Sequence, residues 1–176
     1  MSYSEILLKP TKEKSIERKH PWVFSGALKH IPESIQEGDV VDVVNKTGRH
    51  ICTGHYQIGS IAVRVLSFEK SEVNQDFFTT RIKNAFDVRE KLDLTNNSET
   101  NIYRLVHAEG DNLPGLIIDV YNNSAVIQCH SIGMHKQINL IAEAIKKCFG
   151  DKLQSIYSKS AETLPKEYAV SVQNEY

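Results

Sequence analysis

Between Ile61 and Phe68, apolar side chains at Ile61, Val63 and Val65 alternate with Ala62, Arg64 and Leu66, the period of two expected of a half-buried strand. Comparable runs precede it. Val40 to Val44 follows the turn signal Glu37-Gly38-Asp39, Arg49 to Tyr56 follows Lys46-Thr47-Gly48, and Ile6 to Leu8 is a short apolar start. Short strands at regular spacing with turns between them predict a small β-barrel or pseudobarrel up to about Phe68. Within His20-Pro-Trp-Val-Phe-Ser-Gly-Ala-Leu28, the side chains of Trp22, Val23 and Phe24 are expected as core anchors, because burial is the usual state of large aromatic groups.

The period changes after Ser71. Phe78, Ile82, Ala85, Phe86 and Leu92 recur at helical spacing, which predicts a connecting helix of about five turns with Asn74 or Asp76 as N-cap. Its charged face, Arg81, Lys83, Asp87, Arg89, Glu90 and Lys91, is expected to be solvated, and Thr95 to Asn101 is a polar linker. Arg104 to Tyr121 then reads as two apolar runs around a long acidic tip. Pro114 and Gly115 fix its bend, since proline presets its φ and glycine accepts a positive one. Tyr121 to Ser124 turns into a third strand at Ala125 to Cys129. Ile138, Ile141, Ala142, Ile145, Cys148 and Phe149 share one helical face that ends at Gly150, and Leu153 to Ser158 reads as a strand. Ala169 to Val172 reads as one more strand, with nothing to pair with. The class is therefore α+β: residues 1–71 a β-barrel unit, 72–101 a linking helix and loop, and 102–176 a small unit of three strands, a helix and a strand.

With 176 residues, 40% hydrophobic and 24% charged, the chain can bury one large or two small cores, and disorder is not expected. The net charge of −1 excludes nothing, but its distribution is uneven. Lys9 to His30 holds six Lys or Arg against Glu13 and Glu17, a net +4, which leaves −5 for the remainder. A basic patch near one end of an acidic body predicts an anionic partner. No apolar run approaches a membrane span and the N-terminus lacks a signal peptide, so a cytoplasmic protein without a membrane partner is expected. Cys52, Cys129 and Cys148 are odd in number and far apart, and are expected as reduced, mostly buried thiols.

Gly-x-Gly-x-x-Gly, Walker A, nucleophile-elbow and His-Glu-x-x-His sequences do not occur, and the nine glycines are dispersed at predicted turns rather than clustered around a phosphate. His107, Glu109 and Asp111 lie two apart, so an extended backbone would align them on one face with Asp119 across the hairpin. That arrangement suits a hard cation or a general acid/base pair, but a solvated acidic tip explains it more simply. Cys52-x-x-His55, Cys129-His130 and His135 lack a second ligand pair and are expected to serve packing. No residue is therefore assigned to catalysis or to a metal. Arg18, Lys19 and His20 are contiguous, precede Trp22 and have Lys29 nearby, and cations clustered on a barrel edge suit phosphate. An ordinary solvated basic loop explains the charge alone equally well.

His20-Pro-Trp-Val-Phe-Ser-Gly-Ala-Leu28, the strands through Arg64-Val65, and above all Val106-His-Ala-Glu-Gly-Asp-Asn-Leu-Pro-Gly-Leu-Ile-Ile-Asp119 resemble the N-terminal half of the RlmI-like methyltransferases. These are S-adenosylmethionine-dependent enzymes that make 5-methylcytidine in large-subunit ribosomal RNA. The resemblance covers essentially the whole chain. It implies a PUA domain to about Ser71, a linking helix and a small central domain. It also implies that the Rossmann-like methyltransferase domain, with cofactor site and catalytic cysteine, lies beyond this chain, so that Cys129 and Cys148 are not nucleophiles. The chain is then the RNA-binding and central portion of a ribosomal RNA methyltransferase, inactive and without cofactor by itself, with S-adenosylmethionine serving the full-length enzyme in rRNA processing. A stand-alone PUA-type RNA-binding adaptor is the alternative, and a small metal-dependent enzyme built on His107, Glu109 and Asp111 is a third reading. The resemblance makes Arg18, Lys19, His20 and Lys29 the expected ribosomal RNA contacts. Glu109, Asp111, Asn112, Pro114 and Gly115 become an interdomain hairpin, exposed here because its partner domain is absent. The oligomeric state stays open, a dimer included.

Overall fold

Six short strands form the first unit of this computed structural model, which describes residues 3–175. They are β1 (Ser4–Leu8), β2 (Trp22–Phe24), β3 (Leu28–His30), β4 (Val40–Val44), β5 (His50–Tyr56) and β6 (Ile61–Ser67), with a one-turn helix α1 (Lys14–Glu17) after β1. Their order in the sheet is β2-β6-β5-β4-β1-β3, antiparallel except where β1 lies alongside β4. The edge strands β2 and β3 are separated in sequence only by the 3-10 turn Ser25–Ala27. Laid flat, six strands would hold those edges about 24 Å apart, whereas the chain from Phe24 to Leu28 reaches at most about 15 Å. The sheet must therefore curl. It encloses Ile6, Leu8, Val23, Val41, Val43, Val63 and Val65, and α1 adds Ile16.

Three positions in this unit differ from expectation. Trp22 is only half-buried and Phe24 is exposed, because alternation along β2 turns Val23 alone into the core. Gly54 lies inside β5 rather than at a turn, at a shift in the register between β5 and β6, where a Cβ would stand 2.2 Å from the Arg64 carbonyl oxygen.

The second unit begins at Val73. It contains α2 (Gln75–Lys91), β7 (Ile102–His107), β8 (Leu116–Tyr121), β9 (Ser124–Cys129), α3 (Ile132–Lys136), α4 (Ile138–Phe149), β10 (Ser155–Ser158) and α5 (Lys166–Ala169). Asn74 caps α2, its side-chain oxygen accepting the Phe77 N–H at 3.0 Å. Phe78, Ile82 and Ala85 form the buried face, while Leu92 lies past the last turn and is exposed. Strands β7, β8 and β9 make an antiparallel meander, and the crossover through α3 and α4 returns β10 parallel to β9. The helix that the sequence assigns to a link is thus part of this unit. It packs on α4, with Phe86 edge-on to Phe149 at 5.2 Å between centroids.

The strand expected at Ala169 to Val172 is a helix end instead. Pro165 presets φ at −52° before α5, its carbonyl accepts the amides of Tyr168 and Ala169, and the Tyr168 hydroxyl lies 3.1 Å from His135 Nδ1. Among the described residues no helix is long and apolar enough to cross a membrane.

Gly54→Ala is expected to lower the stability of the first unit by about 3 kcal/mol, because backbone rather than a flexible side chain must give way. Gly26→Ala, where a Cβ would meet nothing within 4 Å, should cost less than about 0.5 kcal/mol. Urea midpoints compare the two, and equal midpoints would contradict the account.

Candidate nucleic-acid interface

The basic run follows directly from how α1 ends. Lys19 adopts φ +66°, and the amides of Lys19 and His20 donate back to the carbonyls of Ile16 and Ser15, so the chain reverses within one turn. Arg18 and Lys19 are exposed there, and the Lys19 ammonium lies 4.6 Å above the Phe68 ring. His20 Nδ1 lies 3.2 Å from both the amide nitrogen and the carbonyl oxygen of Trp22, which fixes the ring. The neighbouring acid Glu17 is paired with Arg49 at 2.5 Å. Arg18, Lys19 and His20 therefore stand together on a built support. Lys29 does not share that turn: it is exposed on β3, at the opposite edge of the curled sheet.

Sequence reasoning missed the aromatic continuation of this run. His20, Trp22 and Phe24 point the same way from the edge strand, with centroids 5.8 Å (His20 to Trp22), 5.8 Å (His20 to Phe24) and 6.3 Å (Trp22 to Phe24) apart. Their spacing of two residues was the available signal. Arg64 lies opposite Trp22 in the β2–β6 register and so on the same face.

The hairpin has a different character from the solvated tip expected of it. After His107 the chain enters a 3-10 turn, Ala108–Asp111, with Ala108 at φ +43° and Asn112 at φ +56°, so His107, Glu109 and Asp111 do not share one extended face. The Asp111 carboxylate receives Arg89 Nη1 at 2.5 Å, Arg89 Nη2 at 2.8 Å and the His107 N–H at 2.6 Å. Both side chains are nearly buried, at 12% and 10% exposure. Arg89 Nε also donates to the Arg104 carbonyl, and the Arg104 guanidinium grips Asp119 at 2.8 and 3.0 Å. Beyond the turn Leu113 and Pro114 are buried, and Gly115, at φ +83°, has Ser131 Oγ where a Cβ would stand at 2.9 Å. Of the five expected interdomain residues, only Asn112 is fully exposed, with Glu109, Asp111 and Gly115 intermediate. Among the described residues no group of three or more His, Cys, Asp or Glu could hold a metal ion.

The cysteines are poor nucleophiles. Burial pushes the Cys52 thiol up to about 12, with the Asp42 charge adding to it, and burial pushes Cys129 up to about 12 against a hydrogen bond from Ser160. Burial also raises the half-buried Cys148. Among the described residues no glycine-rich turn joins a strand to a helix, and Gly54, Gly115 and Gly133 lie in a strand, a hairpin bend and a helix. A cavity of about 840 Å³ beside α4 and β10 is lined by aliphatic residues such as Ile127, Ile138 and Ile156 and by polar ones such as Asn139, Lys146 and Asp151.

The family model described as a PUA-like domain matches residues 6–68. Over 150 residues the chain is 38% identical to ribosomal RNA large subunit methyltransferase I of Alteromonas mediterranea, covering 84% of this chain and 37% of that protein. The protein of that name from Shewanella amazonensis is 40% identical over 166 residues, 91% of this chain and 41% of its own length. Among solved structures, a Streptococcus mutans protein assigned as a SAM-dependent methyltransferase superposes with TM-score 0.75 at 19% identity, over 89% of this chain and 40% of that one. A second, assigned as a methyltransferase and complexed with SAH, gives TM-score 0.74 at 18% identity over 95% and 41%. At those identities the two structures show a shared fold. The chain spans about two fifths of the length of the curated relatives it matches.

Arg89→Met leaves a nearly buried carboxylate uncompensated and is expected to destabilise the second unit by about 3 kcal/mol. Adding Asp111→Asn should recover part of that loss, because the amide oxygen still accepts the His107 N–H and no charge remains; chemical denaturation of both variants reads it. An additive double variant would contradict the pairing. Thiol titration supplies an independent check. At about pH 8 a disulfide reagent should modify Cys148 alone in the native chain, and all three cysteines in denaturant. Because folding raises the two buried thiols from 9.0, the stability gained by keeping them neutral is complete below pH 9 and is lost as pH rises towards 12.

Proposed function

We propose, from the membership of this chain in the family of the ribosomal RNA large subunit methyltransferase I proteins, that it is the RNA-recognition and central portion of an enzyme acting in ribosomal RNA processing in the cytoplasm. The first unit docks structured ribosomal RNA through phosphate and shape contacts. The observation that carries this reading is the turn bearing Arg18, Lys19 and His20, whose backbone is fixed by the end of α1 and whose neighbour in sequence, Glu17, is paired with Arg49. Lys29 supplies a further phosphate contact from β3.

The second unit contributes structure rather than RNA contact. Its hairpin presents carboxylates already matched by Arg89 and Arg104, and Glu109 with Asn112 forms the part offered to a neighbouring domain. S-adenosylmethionine and the cysteine that forms 5-methylcytidine belong to a methyltransferase domain outside these residues. The chain alone therefore binds RNA without methylating it.

Charge reversal at Arg18 and Lys19 is expected to weaken binding to large-subunit ribosomal RNA fragments and to reduce the slope of log affinity against log salt by about 2. An unchanged slope would place the docking surface elsewhere. Methyl transfer from S-adenosylmethionine to those fragments by the chain alone would contradict its non-catalytic role.

A further inference from the structure

The geometry points to a base-stacking site for unpaired nucleotides on β2, formed by His20, Trp22 and Phe24, a site that rests on the RNA-docking reading above and deepens it. Three rings converge on one side of a three-residue edge strand, each within 6.3 Å of the others. Core packing does not account for Phe24. Val23 fills the core from the same strand, while Phe24 stays 48% exposed, an unfavourable state for a phenyl group in water.

The chemistry of the surroundings selects the occupant. Arg18 and Lys19 lead into the stripe from one end, and Arg64 lies beside Trp22 in register, so a polyanion that passes along the turn places its bases over the rings. The rings stand at 73°, 48° and 89° to one another rather than in a parallel stack. Each can therefore offer a face or an edge to a separate flat ligand. Any base has a π-face, so the stripe takes a splayed single strand with little sequence preference, whereas a paired duplex offers it only phosphate.

Trp22 is the sole tryptophan, so its emission reports the site directly in the full chain. The probes are an unstructured uridine-rich RNA of about 12 nucleotides, matched to the footprint of such stripes, and a fully paired RNA duplex of equal length. The single strand is expected to quench Trp22 emission, and Phe24→Ala to weaken its binding about tenfold, as loss of one stacked base does. Phe24→Tyr should restore the affinity, and neither change should alter duplex binding. Because Phe24 lies outside the core, the variants should melt with the parent, which separates stacking from folding.

Unquenched emission, with equal single-strand affinity for all three proteins, overturns the stacking site while leaving phosphate docking intact. Failure of the parent chain to bind either RNA removes the docking reading and this site with it. Self-association abolished by Phe24→Ala, without any response to RNA, assigns the stripe to a second copy of the chain and overturns the proposal.

Discussion

Three residues join the two edges of the first sheet, and most of that unit follows from this limit on chain length. Hydrogen bonding drives the strands to spread side by side, while the Ser25–Ala27 connection prevents the edges from parting. Curling satisfies both, and Ile6, Val41, Val43, Val63 and Val65 fill the space that it encloses. Gly54 is needed where β6 leaves no room for a Cβ, the Arg64 carbonyl oxygen standing 2.2 Å from where one would lie. The same closure leaves β2 at an edge with one face outward. A strand in the middle of the sheet would have both faces covered; an edge strand can show Trp22 and Phe24 beside the turn that carries Arg18 and Lys19.

A different interaction organises the second unit. The guanidinium of Arg89 makes four hydrogen bonds, two to the Asp111 carboxylate and one each to the Arg104 and Ala85 carbonyls, and so ties the last turn of α2 to β7 and to the end of the 3-10 turn. An exposed ion pair would contribute at most about 1 kcal/mol. This one is nearly buried and geometrically complete, so losing either partner costs far more than the pair itself contributes. The Arg104–Asp119 pair holds the neighbouring register of β7 and β8 in the same manner but from a more exposed position. An acidic stretch that suggests metal or acid/base chemistry is thereby a structural latch. Asp111 is held by Arg89 and accepts the His107 N–H, and Asp119 is held by Arg104.

What was legible in the sequence was periodicity. Ile61, Val63 and Val65 located β6, and Phe78, Ile82 and Ala85 located the buried face of α2, because each pattern is set by local backbone geometry. The basic turn could also be read as contiguous charge. Features that depend on contacts distant in sequence could not. Arg89 looked solvated because its partner stands 22 residues away, and Gly54 looked like a turn residue because the opposing carbonyl belongs to the next strand. Trp22 and Phe24 were assigned to the core by the average behaviour of aromatic residues, and only the sheet order places β2 at an edge. Ala169 to Val172 carried β-branched residues, yet Pro165 and the Tyr168 to His135 contact fold that end as a helix.

Footprinting of lysines on the intact chain tests RNA docking by the first unit most directly. Lys19 and Lys29 are exposed on the proposed surface, while Lys83 and Lys146 are exposed on helices of the second unit, beside Asp87 and Glu143. If the first unit carries the interface, large-subunit ribosomal RNA fragments will slow acetylation of Lys19 and Lys29 and leave Lys83 and Lys146 unchanged. Protection confined to Lys83 and Lys146, or uniform across all four, would contradict it.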